Sequence, residues 1–184
     1  MKNLICITLF SLLTTAHSQF NKEVTLEDGR KFLIGKMTLE GFKSEPYNVW
    51  FKQGYTSYQV DQTFVNLFKK NLSNYHLKLF LGTWCSDSKR QVPRIIKILE
   101  AAKFSMEQLE IVALDGRKEF YKKSPTGEEQ GLNIIKVPTL IFLKNDKEVN
   151  RIVERPIESL EEDINAILNH KNYMPNYAHL KRTR

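Results

Sequence analysis

Cysteine is scarce in this chain of 184 residues: there are two, Cys6 and Cys85. That excludes the disulfide framework that staples many small secreted domains, and it excludes a multi-cysteine zinc site. Histidine is equally thin. His76, His170 and His179 do not fall at ligand spacing, so the sequence implies neither a metal nor another cofactor. No apolar run reaches the ~20 residues that a membrane-crossing helix needs. The formal net charge is +7, yet the basic residues are not interleaved with aromatics as on a nucleic-acid surface. Internal repeats and low-complexity stretches are lacking as well.

What is present begins with an N-terminal address. Lys2, the apolar stretch 4–13 and Ala16-His17-Ser18 match the charged, apolar and small-x-small parts of a secretion signal, so residues 1–18 are read as a cleaved signal peptide. An uncleaved anchor is the alternative, for which the run is short. The expected location is extracytoplasmic, either periplasmic or secreted. The remaining 166 residues (184 minus 18) suffice for one domain that buries roughly 70% of its unfolded surface. Cys6 leaves with the signal, so Cys85 becomes an odd thiol in an oxidising compartment. Such a thiol is either buried and inert or kept for its reactivity. Losing Lys2 brings the charge to +6 (7 minus 1), and Lys171, Lys181, Arg182 and Arg184 meet no acid after Asp163. Residues 171–184 are therefore expected to form a basic tail, either solvated or resting on an acidic membrane surface or partner.

Periodicity divides the rest. Residues 19–60 read as an N-terminal extension, with a hairpin from Val24 to Ile34 about the Asp28-Gly29 turn. Ser44 is expected to cap a short helix with Pro46 in its first turn and Gly54 just past its end. Tyr47, Trp50 and Phe51 then lie on the domain surface, as a recognition patch or as packing for the extension. Behind an Asp61 cap, Phe64, Leu67, Phe68 and Leu72 recur at helical spacing over 61–73. A strand follows at 77–81, then a helix over 88–102 with Val92, Ile95, Ile96 and Leu99 inward. Strands are expected at 109–114, 139–143 and 148–153, the last pair joined at Asn145-Asp146. Ser159 opens a final helix through Leu168 with capping-box chemistry. Alternating strands and helices that end in a strand pair imply an α/β sandwich.

Cys85 stands in Thr83-Trp84-Cys85-Ser86-Asp87-Ser88, where the strand at 77–81 gives way to a helix. Backbone N–H groups and the positive end of the helix dipole favour thiolate there. Ser88 sits where a Cys-x-x-Cys site would carry its second sulfur. Pro93 follows the cysteine by eight residues, and Val137-Pro138-Thr139 opens a later strand. These three features, in this order and spacing, resemble the thioredoxin superfamily over residues 75–169.

The resemblance implies a thioredoxin-like three-layer α/β/α sandwich with a mixed central sheet over 61–170. It implies that a cis Pro138 packs against the thiol and that the backbone of Val137 pairs with an extended substrate peptide. Trp84 and Thr139 join these as expected substrate-binding residues, with Trp84 flanking the sulfur. On the residues alone, Trp84 is otherwise a plain packing aromatic and Pro138 a trans proline at a strand start. The departures from the family pattern limit what carries over. Ser88 replaces the resolving cysteine, Asp87 takes the place of the usual proline, and Leu79 stands where the family keeps a buried acid. Efficient dithiol reduction is not expected. The expected chemistry is single-thiol exchange through a Cys85 mixed disulfide, resolved by an external thiol or by the substrate's second cysteine. The expected partners are cysteine-containing envelope or secreted proteins, with a small thiol or thioredoxin-like reductant. A redox-inactive peptide-binding module of the cell envelope is the alternative.

Cys85, Ser88 and Asp87 are the catalytic candidates. Ser88 either donates a hydrogen bond to the thiolate or lines the first helical turn. The helix terminus favours thiolate by about 0.3–2 kcal/mol, while a carboxylate ~6 Å away disfavours it by roughly 0.7–3 kcal/mol. A modestly reactive thiol results, unless Asp87 serves only as a helix N-terminal charge.

Overall fold

The computed structural model describes residues 20–181. The expected signal peptide and the last three residues of the expected tail lie outside the described residues. The architecture is mixed α/β: a six-stranded mixed sheet and four α-helices. Strands β1 (Lys22–Thr25), β2 (Lys31–Met37), β3 (His76–Leu81), β4 (Leu109–Ala113), β5 (Thr139–Lys144) and β6 (Lys147–Val153) lie in the order β1-β2-β4-β3-β5-β6. Only β3 and β4 run parallel; every other neighbouring pair is antiparallel.

Turn chemistry sets both hairpins. Gly29, at φ 82°, closes the β1–β2 turn while Asp28 accepts the Arg30 N–H at 3.0 Å. Asn145 and Asp146 both take positive φ (51° and 59°), which is what a two-residue loop between right-twisted strands requires.

Side chains alternate strictly across the central strands, and two cores result. Leu77, Leu79 and Leu81 of β3 join Ile111 and Leu140 in a large cluster with the buried faces of α1 (Tyr47–Ser57), α2 (Gln62–Leu72), α3 (Ser86–Ala101) and α4 (Leu160–Leu168). Phe80, Val112 and Ile141 point the other way, into a smaller cluster with Leu114, Ile134 and Val137. All four helices thus lie on one face. The opposite face is covered by the connection 114–138, which contains only a 3-10 turn at Lys118–Phe120. This departs from the expected helical layers on both faces. The physical reason is local: Pro125, Gly127, Gly131 and the left-handed Lys122 and Asn133 interrupt the segment too often for a helix.

The extension is built into the domain. Gly35, Lys36 and Met37 of β2 pair with β4. Tyr47 is buried and donates from its hydroxyl to Glu23 at 2.9 Å, while Trp50 and Phe51 pack on Phe42. These aromatics are packing, and no surface patch forms from them. Ser44 does not cap α1 with its side chain; Pro46 occupies the N-cap position after a cis Glu45–Pro46 bond. Gly54 does not end α1 but lies inside it against α3, where a Cβ would stand 3.0 Å from Pro93 Cγ. Asp61 caps α2 as expected, accepting from Thr63 N at 2.8 Å, but Leu67 faces solvent and Val65 turns inward.

The segment after α4 keeps Lys171 and Lys181 exposed but is tied to the domain by its tyrosines and asparagines. Tyr173 donates to buried Asp163 (2.7 Å), Tyr177 donates to Glu154, and Asn150 and Asn176 tie the same stretch down through backbone carbonyls.

Candidate active site around Cys85

The loop between β3 and α3 places the thiol. Cys85 N–H bonds to Gly82 O at 2.9 Å, and Cys85 is the N-cap of α3, accepting the Lys89 N–H at 3.0 Å. The helix begins at Ser86, two residues before the sequence-based start. Cys85, half-buried, therefore lies at the first turn of a 16-residue helix, where dipole and free N–H groups favour negative charge. Thr83 anchors the loop from the other side, its hydroxyl accepting the Leu33 N–H of β2 at 2.9 Å.

Across from the thiol lies the segment before β5. The Val137–Pro138 bond is cis, and Cys85 Sγ donates to the Val137 carbonyl at 3.4 Å. The Val137 N–H has no hydrogen-bond partner among the described residues. Val137 is 3% exposed, Pro138 is buried and Thr139 is 1% exposed. Thr139 turns its hydroxyl back to the Lys136 carbonyl at 2.7 Å, so it braces the loop rather than facing outward. The Pro138 carbonyl accepts the Glu154 N–H at 2.7 Å. Lys136 pairs with Glu154 at 3.2 Å, and Tyr177 donates to the same carboxylate. Burial alone raises the Glu154 pKa, but the hydrogen bonds from Tyr177 and Lys136 and the lysine charge outweigh it and hold the carboxyl below its ordinary value. The segment after α4 thus clamps the Val137–Pro138 loop.

The three catalytic candidates separate in space. Cys85 faces Val137 and Pro138. Ser88 is fully buried, and its Oγ accepts the Gly82 N–H at 3.1 Å. No hydrogen bond joins it to Cys85 Sγ among the described residues, so its hydroxyl fastens the first helical turn to the loop. Asp87 turns to Arg90 in an ion pair of 2.5 Å, which offsets the charge it presents to the thiol.

Trp84 is held as tightly as the sulfur. Its Nε1 donates to the Leu114 carbonyl at 2.8 Å, and its ring lies between Gly82 and Gly116. A Cβ at Gly82 would come within 2.6 Å of Trp84 Cε2, and one at Gly116 within 2.8 Å of Cδ1. Neither distance is compatible with a side chain. Tyr121 lies against the exposed edge of the indole, ring centroids 5.3 Å apart. Gly82, Gly116, Leu114 and Tyr121 escaped the sequence reading. A glycine two residues before Trp84 was the one visible signal.

Two grooves flank this aromatic pair. One, of about 690 Å³, runs past Leu26, Phe32, Pro46, Trp84 and Lys89. The other, of about 830 Å³, is bounded by Lys118, Tyr121, Lys123, Gln130 and Lys181. Among the described residues no group of three or more His, Cys, Asp or Glu side chains is placed to hold a metal ion, and no helix is long and apolar enough to cross a membrane.

No protein-family model matches the chain, and no curated protein matches it. Among solved structures, partial similarity is found to a protein of unknown function from Pseudomonas aeruginosa, 18% identical over 66% of this chain and 81% of that one, with a TM-score of 0.46. An HIV epitope-scaffold is 20% identical over 65% of this chain and 71% of its own, with a TM-score of 0.41. At those values neither likeness bears on the reading of the site.

Proposed function

We propose that this is an exported, thioredoxin-like protein that exchanges disulfides with protein clients through the single thiol of Cys85. The Cys85 thiolate attacks one sulfur of a client disulfide. A Cys85–client S–S bond forms, the client S–S bond breaks, and the departing sulfur leaves as a thiolate that takes up a proton. An external thiol, or the client's second cysteine, then attacks the mixed disulfide and restores Cys85. The observation that carries this reading is the placement of the half-buried Cys85 at the start of α3, its sulfur 3.4 Å from the carbonyl of Val137. The unpaired Val137 N–H supports backbone pairing with an extended client segment. Clients of this chemistry are cysteine-containing envelope or secreted proteins, and the reductant is a small thiol or a thioredoxin-like protein. Export rests on residues 1–18.

The unpaired Val137 N–H also fits a second reading, a redox-inactive peptide-binding module, because pairing with an extended client backbone needs no thiol chemistry. Intact-mass analysis of protein from its native compartment tests both. The exchange reading expects a chain beginning at residue 19 with a thiol adduct or client on Cys85, lost in Cys85→Ser. Client capture that survives Cys85→Ser leaves the binding module instead.

A further inference from the structure

Building on the exchange reading of Cys85, we propose that the groove walled by Tyr121 and rimmed by Lys118, Lys123 and Lys181 receives an acidic segment of the client, adjacent in sequence to the client's cysteine. Most charges around the groove are already committed. Arg117 is paired with Asp115 at 2.6 Å and lies over the Phe120 ring. Lys122 donates to the Ile135 carbonyl, and Lys136 pairs with Glu154. Glu129 is buried and accepts the Ser124 N–H at 3.0 Å and the Ser124 hydroxyl at 2.8 Å, while Glu128 accepts from Ser124 and Thr126. Lys118, Lys123 and Lys181 remain exposed and enter no ion pair among the described residues, against one exposed acid, Glu119. A hydrogen bond to a neutral group leaves charge in place, so the lining sets Lys118, Lys122, Lys123 and Lys181 against Glu119 and Glu129, and the field in the groove is positive.

Its position makes that field useful. Tyr121, 47% exposed, gives the basic rim an aromatic edge. Tyr121 lines the groove and its ring meets that of Trp84, the chain neighbour of Cys85, so two rings in contact link the groove to the loop that carries the thiol. Basic and aromatic residues together also suit an anionic bilayer. The concave 830 Å³ shape and the link through Tyr121 and Trp84 to the loop of Cys85 favour a chain segment over a flat headgroup surface.

The test uses the mature chain and two short peptides, each with a central cysteine activated as a 2-thiopyridyl disulfide and flanked by Asp and Glu or by Lys. Release of thiopyridone reports exchange. Attraction by three unpaired amines predicts that the acidic peptide reacts about ten-fold faster at low salt. The advantage should fall below about two-fold near 1 M salt, where the screening length is ~3 Å. Lys118→Glu combined with Lys123→Glu should reverse the preference, whereas Lys70→Glu on α2 should leave it. Binding of fluorescent serine versions of the peptides to the Cys85→Ser protein reads the groove without the thiol. Equal rates with equal binding, a preference indifferent to the double reversal, or sedimentation with phosphatidylserine vesicles without peptide preference would overturn the proposal. If the activated peptides fail to react while the serine peptides still bind with acidic preference, the groove stands and the exchange reading falls.

Discussion

Replacing Gly82 with alanine sets a methyl group where the Trp84 indole lies. The new carbon would be 2.6 Å from Cε2 and 2.9 Å from Cζ2 and Nε1, so the ring must retreat by about 1 Å to reach ordinary contact. Retreat is blocked on the far side by the backbone at Gly116. The indole must therefore swing outward and give up the Nε1 bond to Leu114 O. Overpacking of this kind costs about 1–3 kcal/mol, and the lost hydrogen bond about 0.5–1.5 kcal/mol. Alanine returns about 0.4–1 kcal/mol by stiffening the unfolded chain, an offset that applies because the backbone of Gly82 is not left-handed. The net expectation is a loss of about 2 kcal/mol, or roughly 4–8 °C in Tm for a domain of this size. Urea unfolding followed by circular dichroism measures it, and a double-mutant cycle with Trp84→Ala isolates the cause. With the indole gone, Gly82→Ala should cost nothing or stabilise slightly. An equal cost in both backgrounds would refute the argument, because the methyl would then be meeting something other than Trp84.

Ser88→Ala removes the acceptor of the buried Gly82 N–H, and unfolding should show a loss of about 1–3 kcal/mol. Ser88→Cys should give a dithiol that reduces insulin in a turbidity assay; a folded but inactive variant would mean that Asp87, Leu79 or the covered Val137–Pro138 loop disables turnover. Gly54→Leu forces α1 away from Pro93 and should destabilise by about 1–3 kcal/mol, whereas in Gly54→Ala the gain in helix propensity of about 1 kcal/mol offsets the milder crowding. Glu154 binds its proton less readily folded than unfolded, so its contribution is present above its ordinary pKa of about 4.5 and fades as the pH falls through the lower folded value. Hydrogen exchange in residues 171–181, corrected for intrinsic rates, should accelerate between about pH 5 and pH 3, and Glu154→Gln should remove most of that dependence.

The parts of the fold that were legible from residues are those set by near neighbours. Asp61 and Ser159 cap the helices that follow them because a cap acts over two or three residues. The place of Cys85 at a strand-to-helix junction was readable for the same reason. Burial on the two faces of β3 was not, since Leu77 and Phe80 are equally apolar and only the partners across the sheet sort them. Gly54 has the appearance of a helix stop, and its actual use depends on Pro93 on another helix. Ser88 sat in a recognised position, but its bond goes back to Gly82, a backbone partner that no side-chain pattern announces. The clamp on the Val137–Pro138 loop depends on Tyr177, far along a segment whose lysines and arginines outweighed its tyrosines in the reading of composition.

The pairing of β2 with β4 has a consequence for biosynthesis. Gly35 meets Ala113, a separation of 78 residues (113 minus 35). At ~5–20 residues per second, the ribosome needs roughly 4–16 s to make the stretch between them. Throughout that interval the nascent Gly35-Lys36-Met37 stretch has no β4 to pair with, and the apolar side chains of Phe32, Leu33 and Ile34 are without their final neighbours. The growing polypeptide is thus a natural ligand for a chaperone that holds extended apolar segments, and shortening the 78-residue interval by circular permutation would reduce that dependence.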